Sequence, residues 1–161
     1  KALADKVIDV LVNNAGTIGP DRQSTTDMDF DGFLDALNTN TVGPLRVTQA
    51  VLPMLRRSKA AKIITLSSQM GSMAILSSDR IAYRASKAAV NKVMQGLTAD
   101  LRGDGIACLT VHPGWVRTDM GGSHADIYVK DSVAGLAKRI DELSLATSGQ
   151  FLNYDGTTRA W

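Results

Sequence analysis

The chain has 161 residues, of which 44% are apolar and 21% charged, with a net charge of +2. That length supports one domain with a substantial core, and the mixture is that of an ordinary globular protein rather than a disordered one. The charge is too small to point to nucleic acid or a membrane surface, no apolar run reaches the roughly 18 residues of a membrane span, and a single cysteine, Cys108, rules out an internal disulfide.

Lys1 to Lys6 reads as the tail of a helix running into a strand. With no methionine at its head, it predicts that residues precede Lys1. Val7 to Val12 is a short apolar, partly β-branched run stopped by Asn13-Asn-Ala-Gly16, which predicts a buried strand and a tight turn. Residues 17–30 are polar and read as a loop. Asp31 to about Arg57 reads as helix in two segments meeting near Asn40, with Pro53 kinking or ending the second. Ala61 to Leu66 predicts a second strand that ends at Ser67 and Ser68, followed by a loop over 69–79. Ile81 to Arg102 carries Tyr83, Lys87, Val90, Met94, Leu97 and Leu101 at the spacing of one helical face, and Gly103 and Gly105 stop it. Ile106 to Val111 is a third strand, and Cys108 within it reads as core packing in a reducing compartment. Asp131 to Leu143 predicts a last amphipathic helix, and Gly149 to Asn153 a last strand.

Strands alternating with helices imply an α/β fold, a doubly wound parallel sheet covered on both faces and forming a single domain over 1–161. Ligands of such sheets bind beyond the carboxyl ends of the strands. Asn13 to Gly16, Ser67-Ser68 and Pro113 to Thr118 all fall there.

Tyr83 and Lys87, four residues apart on a helix, share one face. A nearby ammonium favours the phenolate, so it should lower the tyrosine pKa from its free value of about 10. The Ser68 hydroxyl could then hold a substrate oxygen against that phenol, which makes an acid–base device for a carbonyl or an alcohol. Alone the pattern is weak, since an amphipathic helix with a snorkelling lysine also produces it. No His, Cys, Asp or Glu cluster has metal-ligand spacing, so no metal is expected. His112 reads as structural and His124 as an exposed loop residue. Trp115 is a wall of the pocket or a packing residue, and Trp161 packs on the sheet or on a neighbouring subunit.

Asn-Asn-Ala-Gly, Ser-Ser-x-x-Gly, Tyr-x-x-x-Lys and Pro-Gly-Trp-Val-x-Thr occur in that order. Together they resemble the short-chain dehydrogenase/reductase family over essentially the whole chain. Tyr83 to Val90, His112 to Gly122 and Ser148 to Gly156 are similar to the branch holding sniffer-type carbonyl reductases and C-factor signalling proteins. The resemblance implies a Rossmann-like fold and a catalytic set of Asn40, Ser68, Tyr83 and Lys87. Tyr83 would be the acid in reduction and the base in oxidation. Lys87 would also hold the nicotinamide ribose, and an opened turn at Asn40 would lodge a water relaying protons to it. Asn13, Asn14, Ala15 and Gly16 would underlie the adenine-side ribose and brace the sheet. Pro113, Gly114, Val116 and Thr118 would hold the nicotinamide.

The resemblance further implies NADP(H) in preference to NAD(H), a small carbonyl or alcohol substrate, and a homodimer or homotetramer, while charge, the lone cysteine and the lack of an apolar span lead to the expectation of a cytoplasmic protein with no nucleic-acid or membrane partner. The family's glycine-rich dinucleotide fingerprint has no match here. The first strand corresponds to the family's fourth, so the chain is expected to be the C-terminal two-thirds of the fold. The missing βαβ part would be on the order of 60 to 80 residues. A rival reading is a C-factor-type protein that binds cofactor and signals with little turnover. An epimerase or dehydratase of the extended branch is disfavoured by the compact stretch after Thr118, which also implies an open, permissive pocket.

Overall fold

The computed structural model describes residues 5–161, so most of the expected helix tail over Lys1 to Lys6 lies outside the described residues. Four strands, β1 (Val10–Asn13), β2 (Lys62–Leu66), β3 (Ala107–His112) and β4 (Gln150–Asn153), form one sheet in the order β1-β2-β3-β4. Every pairing is parallel, with Asn13 beside Thr65, Thr65 beside Thr110, and His112 beside Asn153. The expected fold class is therefore the observed one, a Rossmann-like parallel α/β sheet. β1 starts three residues later than its apolar run does, and the central strand β3 is buried along its whole length.

The helices are α1 (Phe30–Leu37), α2 (Gly43–Leu55), α3 (Ile81–Leu101) and α4 (Val129–Glu142). Asp29 caps α1 by accepting from the Gly32 N–H at 3.0 Å, a strong helix-start signal. The break expected near Asn40 is a π-helical turn over Asn38–Val42, closed by the Gly43 N–H bonding back to the Asn38 carbonyl. One wide turn of this kind interrupts an otherwise continuous helix and is common at functional sites. Pro53 lies inside α2, which ends two residues later.

Each face of the sheet carries its own apolar cluster. On one, Leu55 of α2 and Met94 and Leu101 of α3 pack on Ile63 and Cys108. On the other, Leu136 and Ile140 of α4 pack with Ile64, Leu109 and Val111. The α4 cover stops short of β1, where Val10 and Val12 are 42% and 44% exposed. Trp161 stacks on Phe151 of β4 at 5.3 Å between ring centres, so it packs on the sheet. Among the described residues, no helix is long and apolar enough to cross a membrane.

Candidate active site

A cleft of about 930 Å³ opens at the carboxyl ends of the strands. Asn14, Ala15 and Gly16 after β1 and Ser68 after β2 line it, as do Tyr83 and Lys87 of α3 and Pro113, Gly114, Val116 and Thr118 after β3. Of the catalytic and cofactor-binding residues expected from the sequence, only Asn13 and Asn40 stay outside its walls. Both are buried braces. The Asn13 amide donates to Thr65 Oγ1 at 3.1 Å and Thr48 Oγ1 at 3.4 Å, tying β1 to β2 and α2. The Asn40 amide accepts from the Thr17 N–H at 2.8 Å and donates to the Thr17 carbonyl at 2.8 Å and Ser86 Oγ at 2.9 Å. The π-helical turn thus clamps the loop after β1 to the helix that carries Tyr83.

The Ser68 hydroxyl caps a 3₁₀ turn over Gln69–Gly71 by accepting from the Met70 N–H at 3.1 Å, and it lies close enough to the Tyr83 phenol to favour the phenolate. Ser67 turns into the fold and donates to Asn91 Oδ1 at 2.6 Å. Gly71 sets the distance between these parts, because a Cβ there would stand 2.7 Å from the Lys87 carbonyl carbon and 2.8 Å from the Lys87 Cβ. The spacing Ser-x-x-Gly is the contact of the β2 turn with α3. Gly71→Ala should force turn and helix apart, costing about 2 kcal/mol by overpacking. A melting temperature equal to that of the parent would refute this contact.

Burial dominates the electrostatics. It pushes the Tyr83 phenol above its ordinary 10.0, opposed by the nearby Ser68 hydroxyl and the Arg80 charge. The sequence leads one to expect a lowered value with Lys87 as the cause. The Lys87 ammonium instead lies 5.7 Å from the ring centre and donates to the Leu66 carbonyl at 2.9 Å, and desolvation of the phenolate outweighs the opposing charge, which is that of Arg80. The same burial lowers Lys87 from 10.5 to about 8 and His112 from 6.5 to about 4. His112 is thus neutral near pH 7, and Cys108, raised to about 11, is an inert core thiol.

The Lys87 shift fixes a stability test. Below pH about 8 the amine is charged in folded and unfolded chains alike, so the cost of burying it is constant. Between about 8 and 10.5 the folded chain sheds a proton that the unfolded chain keeps, so stability should rise with pH. Measured as the urea midpoint relative to Lys87→Met, the gain across that window is up to about 3 kcal/mol. A pH-independent difference between the two proteins would refute it.

The loop after β3 folds on itself. The Arg117 N–H donates to the Ile127 carbonyl at 2.9 Å and the Ile127 N–H to the Trp115 carbonyl at 3.1 Å. Trp115 Nε1 reaches the Gly121 carbonyl at 2.8 Å, and its half-exposed ring walls the cleft. His124 is exposed and outside the cleft. Among the described residues, no group of three or more His, Cys, Asp or Glu could hold a metal ion.

Three residues that hold the site have no local sequence signal. Buried Gln23 caps α3 from a distance: its Oε1 accepts from the Tyr83 N–H at 3.1 Å and its backbone carbonyl from the Ile81 N–H at 2.9 Å. Ser86 joins Asn40 to the Tyr83 carbonyl, donating to the latter at 2.7 Å. Arg80, just before α3, is the only described non-glycine residue with positive φ.

A family model described as short chain dehydrogenase matches residues 2–127. C-signal of Myxococcus xanthus is 41% identical over 155 residues, an alignment covering 96% of this chain and 93% of that protein. The solved structure of the carbonyl reductase Sniffer of D. melanogaster is similar at a TM-score of 0.92 and 38% identity, over 99% of this chain and 69% of that one. NADPH-bound carbonyl reductase from chicken fatty liver is similar at a TM-score of 0.91 and 36% identity, over 99% and 68% of the two chains.

Proposed function

Because the chain belongs to the short chain dehydrogenase family, we propose that it is an oxidoreductase moving a hydride between a nicotinamide cofactor and a small carbonyl or alcohol. The observation that carries this reading is the meeting of Ser68, Tyr83 and Lys87 in one cleft beyond the strand ends.

The cleft fits such a cofactor. Gly16 lets the turn after β1 pack closely against the site, since a Cβ there would crowd Asn40 Oδ1 at 3.3 Å and stand 3.6 Å from Lys87 Nζ. Lys87 and Tyr83 would hold the nicotinamide ribose, and the Asn14–Gly16 turn would run beneath the adenine-side ribose. Pro113, Gly114, Val116 and Thr118 would hold the nicotinamide, which when bound supplies or accepts the hydride.

The chain's own residues do the rest. Ser68 donates to the substrate oxygen and fixes it against Tyr83. Tyr83, held protonated by burial, gives its proton to that oxygen as charge develops there. Lys87, cationic below about 8, stabilises the phenolate left behind. Asn40 acts through position, since the loop it clamps runs from Gly16 into Thr17.

NADP(H) is preferred to NAD(H) in this reading, and the NADPH bound to the chicken carbonyl reductase supports it. A panel of small ketones and aldehydes, followed by cofactor absorbance with NADPH and with NADH, tests both parts. Turnover that is faster with NADPH is expected, and no turnover with either cofactor would overturn the reading. The similarity to C-signal favours a second reading, a signalling protein that binds cofactor without turning over substrate. Cofactor binding with an inert panel would select it.

A further inference from the structure

Arg80 stands at the mouth of the cleft and borders a second cavity of about 410 Å³, lined also by Ile18, Asp21, Arg22 and Asp79. Every other described arginine has a partner. Arg22 pairs with Asp27, Arg56 with Asp104, Arg84 with Asp79 and Arg139 with Glu142. Arg46, Arg102, Arg117 and Arg159 bond to oxygens of Asn38, Leu145, Ala125 and Asn153, and Arg57 is bonded to the Lys6 carbonyl. No carboxylate among the described residues lies within ion-pairing distance of the Arg80 guanidinium. Its neighbour Asp79 is already held by Arg84 at 2.7 Å.

The backbone of Arg80 is equally unusual. Its φ of 50° and ψ of 46° are left-handed, a conformation that a residue with a Cβ adopts at a cost. Next to it, Gln23 takes N–H groups of the first turn of α3 with its own carbonyl and amide oxygen, while its Nε2 donates to the Pro20 and Ile18 carbonyls. A glycine would fit this position with less strain. An exposed cation without an ion-pair partner instead stands at the edge of the cleft, three residues before Tyr83. Its charge is felt at the Tyr83 phenol. Strained non-glycine residues of this kind cluster at ligand clamps.

We propose that Arg80 is a specificity-determining anion anchor, and that the carbonyl compounds taken by this cleft carry a carboxylate. The inference rests on the oxidoreductase reading of the same cleft. The planar guanidinium suits a bidentate carboxylate, and the second cavity gives room for the part of the substrate beyond the reacting carbonyl.

The test compares levulinate and longer-chain oxo acids with their methyl esters by titration calorimetry. Oxidised NADP is present, so that ketones bind without turning over. At least one acid should bind about tenfold tighter than its ester. The ratio should fall to near one in Arg80→Gln and Arg80→Gly and be partly kept in Arg80→Lys. Arg80→Gly suits the left-handed backbone, so the loss there reads on the charge rather than on the fold. Acids binding no tighter than esters, or an acid preference that survives Arg80→Gln, would overturn the proposal. Reduction by NADPH is measured separately. Failure to turn over either compound class defeats the oxidoreductase reading, while the acid-to-ester binding ratio still decides the role of Arg80.

Discussion

Tyr83→Phe is expected to lower turnover by about 10²–10⁴-fold, the usual contribution of a positioned general acid. The change removes one oxygen and leaves the ring, which is only 8% exposed, in its packing. The helix around it is anchored through backbone groups that phenylalanine retains: the N–H to Gln23 and the carbonyl to Ser86. Cofactor affinity, read by quenching of protein fluorescence, should therefore change far less than the turnover number. Burial holds the phenol protonated through neutral pH, which suits reduction, where a proton is donated. Turnover within tenfold of the parent would mean that another group delivers the proton and that the Tyr83 assignment is wrong.

The parts of this molecule legible in the sequence are those whose physics is local. Four short runs ended by turn residues became four parallel strands, and the two richest in buried apolar residues, β2 and β3, form the centre of the sheet. Tyr83 and Lys87 could be placed together because helical spacing puts them on one face, and both are buried on α3. The interruption near Asn40 was readable from a polar Asn-Thr-Asn-Thr stretch inside an apolar helix, although its π-helical form was not. What stayed hidden depends on groups distant in sequence. Gln23 caps a helix 60 residues away, and the left-handed backbone of Arg80 stands at the start of the helix so capped. The direction of the Tyr83 shift was misjudged for the same reason. Spacing reveals a neighbouring ammonium but not the depth of burial, and burial decided the sign.

Asn40→Ala is expected to be the most destabilising single change at this site. The amide makes three hydrogen bonds, and truncation leaves the Thr17 N–H, the Thr17 carbonyl and the Ser86 hydroxyl each short of a partner. An unsatisfied buried group costs about 1–3 kcal/mol. Ser86 retains its bond to Tyr83 and Thr17 lies near the surface, so a total of about 3 kcal/mol is expected rather than the full sum. Turnover should fall as well, because the loop released at Thr17 follows Gly16 in the cleft wall. A double-mutant cycle with Ser86→Ala separates a clamp from a generic core position. If the Asn40 amide acts through the Ser86 hydroxyl, the double variant should lose less stability than the two single losses added together, by about 0.5–3 kcal/mol. Strict additivity would show that the two side chains act independently, and the account of the π-helical turn as the link between the β1 loop and the Tyr83 helix would fail with it.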